Sequence, residues 1–102
     1  MTVHEPAFGQ SAAPRIDGRA ALVTGSTDGL GLAIAEALAG AGCSVMLNGL
    51  EPEAAAQPKV AALQERAGVA VLYRQADLAS ASAVEALVGA AEAAFGGIDI
   101  LV

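Results

Sequence analysis

The 102-residue chain is 55% hydrophobic and 16% charged, a balance that builds a buried core and excludes intrinsic disorder. Its net charge is −6, with five scattered basic residues, Arg15, Arg19, Lys59, Arg66 and Arg74; this excludes nucleic-acid binding, which needs clustered cations against phosphates. No apolar run reaches the ~18 residues that cross a bilayer, and no charged-then-apolar export signal opens the chain, so a cytoplasmic protein without a membrane partner is expected.

Residues 1–17 read as a polar, proline-containing tail, and residues 18–102 as one incomplete domain. His4, alone in that tail, lacks the converging partners of a metal site. Asp17-Gly18 marks a turn, and Ala20-Ala-Leu-Val-Thr24 reads as a short buried strand. The segment TGSTDGLG (24–31) follows, and from Gly29 to about Ala41 the spacing is helical, with Leu30, Ile34, Leu38 and Ala41 as its apolar stripe. Gly40 and Gly42 end that helix. Cys43, the only cysteine, excludes an intramolecular disulfide and reads as a small buried hydrophobe.

Ser44 to Asn48 forms a second apolar strand, closed by Gly49. Over 51–68, Pro58 removes a backbone donor and disfavours the helical conformation at Gln57. A loose turn near Glu53 is therefore expected, with firm helix only from Pro58 to Ala67 and with Val60, Leu63 and Ala67 on its inner face. Val69 to Ala76 makes a third strand. Ser82-x-x-Glu85 resembles a capping box, opening a helix whose buried stripe is Val84, Leu87, Val88, Ala91 and Phe95. Gly96-Gly97 stop it, and Ile98 to Val102 begins a fourth strand.

Apolar strands alternating with helices imply an α/β fold with a parallel sheet covered on both faces. Right-handed crossovers make it a Rossmann-like, doubly wound sheet with the first strand near its middle, truncated after the fourth strand. Ligands bind such sheets beyond the carboxyl ends of the strands, where the strand order reverses. The glycine segment stands there and leads into a helix whose first N–H groups lack partners and whose dipole is positive, an arrangement that attracts phosphate. Gly25 suits a tight turn, Gly29 a close approach of pyrophosphate, and Gly31 close packing of the helix. A P-loop is excluded because the segment has no lysine, and G-x-G-x-x-G fails because Thr27 takes the middle position. What remains is T-G-x-x-x-G-x-G.

On that motif, ALVTGSTDGLGLAIAEALAGAG resembles the opening of the short-chain dehydrogenase/reductases. QADLAS resembles the family's aspartate after the third strand, which makes Asp77, beside Leu78, the expected partner of the adenine edge. FGGIDILV resembles the approach to the family's fourth strand. LNGLEPE looks most like the bacterial D-3-hydroxybutyrate dehydrogenases, which carry Asn-Gly there. The resemblance covers residues 18–102 and implies a dinucleotide held by Thr24, Gly25, Ser26, Thr27, Asp28, Gly29, Leu30, Gly31, Asn48, Asp77 and Leu78. It also implies a homo-oligomeric parent enzyme.

NADP binders offer Arg or Lys to the 2′-phosphate. Neither the glycine segment nor Asn48 to Glu51 holds a basic residue, and Asp28 or Glu51 would repel that phosphate, so NAD is expected. Glu51 stands 20 residues after Gly31, near the spacing of a ribose-binding acid. Counting from the strand end favours Asn48, whose amide can bond a ribose hydroxyl, and Glu51 is read as solvated surface.

The family's chemistry uses a Ser, a Tyr as general acid/base, and a Lys four residues later that lowers the phenol's pKa; the resemblance places all three beyond the fourth strand. Here Asp77 stands four residues after Tyr73, the only tyrosine, and Lys59 is the only lysine. Tyr73 reads as a strand packing residue, and no catalytic or metal-binding residue is assigned. The last residues fall in a strand that should be central, so the chain is expected to be the cofactor-binding part of a longer enzyme, inactive and marginally stable alone. That enzyme would pass a hydride between NAD and a small hydroxy acid such as 3-hydroxybutyrate. A non-catalytic dinucleotide-binding module and a truncated pseudogene product are the competing readings.

Overall fold

The computed structural model describes residues 15–102. The elements run β1 (Ala20–Val23), α1 (Gly29–Gly40), β2 (Ser44–Gly49), α2 (Glu53–Ala67), β3 (Val71–Gln75), α3 (Ala81–Phe95) and β4 (Ile100–Leu101). All strand pairs are parallel, in the order β3-β2-β1-β4. The chain thus winds outward from β1 through β2 to β3, then crosses to the other side for β4. This is the Rossmann-like α/β arrangement expected, with its point of reversal at the carboxyl end of β1.

Burial explains the strand sequences. Ala20 to Val23 are buried along their whole length because β1 is sandwiched on both faces. β3, at the edge, alternates instead: Val71 and Tyr73 point inward, while Leu72 and Arg74 are exposed. One core layer packs α1 and α2 on the sheet through Ala35, Ala39, Val45, Leu47, Val60, Leu63 and Tyr73, with Cys43 buried among them. Burial, and secondarily Asp99, push the Cys43 thiol pKa up. The opposite layer packs α3 through Leu87 and Ala91 against Leu22, Met46 and Ala76.

Several local expectations are corrected. The helix α2 is continuous from Glu53 and passes through Pro58. Pro52, with φ −57°, caps its start, and its carbonyl accepts from Ala55 and Ala56. Fully buried Ala56 anchors this turn to the core, and Ala54, whose carbonyl loses the Pro58 donor, is exposed to water. The cap of α3 is Ser80, whose Oγ accepts from the Ala83 N–H at 3.3 Å; Ser82 lies inside the helix and pairs with Ser80 through its hydroxyl. In α1 the inward residues are Ala35 and Ala39, flanked by Ile34 and Leu38, whereas Leu30 is 78% exposed. Alanines let this helix sit close to the sheet, which turns the predicted leucine stripe partly outward.

Of the expected tail, residues 1–14, His4 included, lie outside the described residues. Ile16 packs on the core, and its N–H donates to the Ala41 carbonyl at 2.9 Å. Among the described residues no group of His, Cys, Asp or Glu is placed to hold a metal, and no helix is long and apolar enough to cross a membrane.

Candidate functional site

The segment after β1 owes its shape to its glycines. Gly25 and Gly29 adopt φ of +56° and +57°, a region costly for any side chain. At both, the space a Cβ would take is empty to 4 Å, which leaves room for a ligand to approach the backbone. At Gly31 the reverse holds: a Cβ would lie 2.1 Å from the Gly25 carbonyl oxygen and 3.0 Å from the Ser26 Cα. Gly31 therefore packs the first turn of α1 against the loop itself rather than against a strand.

Asp28 is the N-cap of α1, with extended backbone, and its carboxylate makes no capping hydrogen bond. The first intrahelical donor is Leu32, bonded to the Asp28 carbonyl at 3.2 Å. The N–H groups of Gly29, Leu30 and Gly31 precede it and have no partner within the helix. They lie at the positive end of the dipole, facing the empty space at Gly29.

Asn48 ties the loop to the sheet. Its Oδ1 accepts from the Gly25 N–H at 3.2 Å, and its Nδ2 donates to the carbonyls of Arg74 and Ala76. Its own N–H donates to Ser26 Oγ at 3.0 Å, and its carbonyl accepts from the Ser26 N–H at 2.8 Å. Ser26, fully buried, donates its hydroxyl back to the Val23 carbonyl at 2.6 Å. Thr24 Oγ1 donates to the Val102 carbonyl at 2.8 Å, joining β1 to β4.

Beyond the strand ends lies a cleft of about 450 Å³, lined by Gly25, Thr27 and Asp28 from the loop, Asn48, Gly49, Leu50 and Glu51 after β2, and Ala76, Asp77 and Leu78 after β3. Six residues singled out from the sequence meet there: Gly25, Thr27, Asp28, Asn48, Asp77 and Leu78. Gly29, Leu30 and Gly31 open the adjoining helix, while the Ser26 hydroxyl turns into the protein and the Thr24 hydroxyl is engaged by the Val102 carbonyl. Asp77 Oδ1 accepts from the Ala79 N–H at 2.9 Å, fixing the turn into α3. A larger groove of about 580 Å³ between α1 and α2 holds the Glu36–Arg66 ion pair. It lies between the helices, away from the strand ends where ligands of such sheets bind, so the smaller cleft is the candidate site.

Two further charged residues bear on Thr27, at the edge of this site. Glu51 is not freely solvated: its Oε1 accepts from Thr27 Oγ1 at 2.9 Å. Its own backbone N–H and then the Thr27 hydroxyl hold its carboxyl below the usual carboxylate range. Lys59, from the second turn of α2, donates to the Thr27 carbonyl. The local segments contain no base, but the fold brings one from 32 residues away. Tyr73 is a packing residue whose hydroxyl donates to the Glu51 carbonyl at 2.5 Å. Burial, then Glu51, raise its pKa, opposite to what a catalytic phenol requires.

A glycine-shaped turn opening on a helix N-terminus, at the reversal point of a parallel sheet, defines a dinucleotide-binding α/β protein. The sequence profile described as short chain dehydrogenase matches residues 19–102, and the chain belongs to that family. It is 44% identical over 87 residues to the D-beta-hydroxybutyrate dehydrogenase of Cupriavidus necator, covering 85% of this chain and 33% of that protein. The enzyme of the same name from Rhizobium meliloti is 39% identical, over 82% of this chain and 33% of its own length. A short chain dehydrogenase from Burkholderia cenocepacia, crystallised in complex with NADP, superposes with a TM-score of 0.78 at 41% identity, over 85% of this chain and 35% of its own. The chain spans about a third of the length of these relatives and corresponds to the family's dinucleotide-binding portion.

Proposed function

We propose that the cleft binds the adenosine diphosphate half of NAD, as part of an oxidoreductase that interconverts a small hydroxy acid, 3-hydroxybutyrate, and its ketone. The observation that carries this reading is the convergence of the glycine loop, the 49–51 segment and Asp77-Leu78 on one cleft. The amides of Gly29, Leu30 and Gly31 bond the pyrophosphate, and Gly25 and Gly29 leave it room. Asp77 and Leu78 take the adenine, with Asp77 at its polar edge and half-exposed Leu78 on its face. Thr24, Ser26 and Asn48 hold the loop: the Asn48 Nδ2 donates to the carbonyls of Arg74 and Ala76, so its part is to fix the turn, not to reach the ribose. When bound, the nicotinamide supplies the hydride acceptor or donor.

The hydroxybutyrate assignment rests on the two relatives of that name and on the Asn48-Gly49 pair. The preference for NAD rests on the carboxylates of Asp28, Glu51 and Asp77 around the cleft, set against Lys59 at its margin and the NADP-bound neighbour. Titrating the protein with NADH and following its fluorescence should give saturable binding in the micromolar range. D-3-hydroxybutyrate should then drive NADH formation by the whole enzyme. No binding at millimolar cofactor would remove the reading.

A further inference from the structure

We infer that Lys59 is a positioning residue of the glycine loop: through the Thr27 carbonyl it sets where the start of α1 stands over the cleft. It thereby sets the affinity for a dinucleotide that Lys59 itself does not touch. The inference rests on the reading of the cleft as a dinucleotide site. Thr27 is the joint of the loop. Ahead of it, Gly25 and Ser26 are bonded to Asn48. After it, Asp28 caps α1 without a side-chain bond, and Gly29 stands at φ +57° with nothing within 4 Å of its would-be Cβ. Whatever fixes Thr27 therefore carries the helix N-terminus with it.

Three groups from outside the loop hold Thr27, which is buried. Its side chain seats on Gly49, where a Cβ would meet Thr27 Oγ1 at 2.9 Å and Cγ2 at 3.1 Å. Its hydroxyl donates to Glu51 Oε1, and its carbonyl accepts from Lys59 Nζ. The first two supports act on the side chain; only Lys59 among the three takes hold of the backbone that leads into α1. A surface lysine ordinarily leaves its charge in water. Lys59 is exposed as a residue, yet its ammonium stands at the loop. There it joins, after the Glu51 backbone N–H and the Thr27 hydroxyl, in holding the Glu51 carboxyl below the usual range. An ammonium on a carbonyl makes a charge-assisted hydrogen bond, roughly twice as strong as a neutral one, and here it ties α2 to the turn.

The test measures NADH dissociation constants, by fluorescence or calorimetry, and urea midpoints for the wild-type protein, Lys59→Met and Lys59→Arg. Lys59→Met keeps an apolar stem and removes the donor. It should weaken NADH binding about tenfold, the order of one charge-assisted hydrogen bond, with the urea midpoint unchanged. Lys59→Arg, which restores a charged donor, should keep most of the affinity. If Lys59→Met does not fold, Lys59→Gln, uncharged and one bond shorter, takes its place with the same expected loss. The loss should persist at about 0.5 M salt, where the field of a distant charge is screened within a few ångströms. Unchanged affinity, a loss matched by a fall in the urea midpoint, or a loss that salt abolishes would each overturn the inference and leave the cleft reading intact. A wild type that does not bind NADH at millimolar concentration would remove the cleft reading itself, and the inference with it.

Discussion

Gly31 shows how little volume separates a working loop from a broken one. An added methyl would meet the Gly25 carbonyl oxygen at 2.1 Å, and that oxygen belongs to backbone that cannot swing aside. Gly31→Ala should therefore destabilise the protein by about 1–3 kcal/mol, the range for overpacking, and should weaken NADH binding as the loop shifts. Gly89→Ala is the control. Gly89 lies within α3 with nothing within 4 Å of its would-be Cβ, so the same methyl there should stabilise by about 0.5–1 kcal/mol. Urea denaturation and a cofactor titration on each variant check both expectations. The glycine roles were legible because their cause is local, a turn leading into a helix. The work of Asn48 was not, since its partners Gly25, Arg74 and Ala76 come from two other segments, and no spacing rule reveals that an amide is fully engaged.

Among the elements, α2 sets the sharpest conflict between propensity and packing. Pro58 stands inside the helix, where proline costs about 3 kcal/mol relative to alanine. The helix persists because Ala56, Val60 and Leu63 are buried against the sheet on either side of it. Pro58 itself is exposed, so Pro58→Ala removes no core contact and restores the donor to Ala54. The variant should gain about 1–3 kcal/mol of stability, read as a raised urea midpoint; an unchanged or lowered midpoint would contradict a continuous helix from Glu53. The contact of Lys59 with the Thr27 carbonyl spans 32 residues, and no local pattern in α2 reports it. At α3 the error was smaller. Ser80 and Ser82 are both plausible caps by residue type, and the extended backbone at Ser80, with ψ of 116°, and the bond its Oγ accepts from the Ala83 N–H distinguish them.

At the scale of the whole molecule, the order of elements was fully legible, since alternating apolar strands and helices admit few parallel topologies. What the pattern could not convey is the inequality of the two layers. Twelve buried residues join α1 and α2 to the sheet, whereas five join α3 among the described residues. Opening free energy follows buried apolar contact, so the amides of α3 should exchange with deuterium earlier than those of α1, β1 and β2. Uniform protection across both layers would show that the smaller layer is held by something other than its apolar contacts.

The link through Asn48 has a consequence for how the loop meets its ligand. Two loop amides, Gly25 and Ser26, are already clamped on Asn48 and should exchange slowly in the free protein, like strand amides. Those of Gly29, Leu30 and Gly31 should exchange quickly and slow only when NAD is added. Half of the turn is thus preorganised, and the entropy of ordering it is met during folding rather than at the moment of binding.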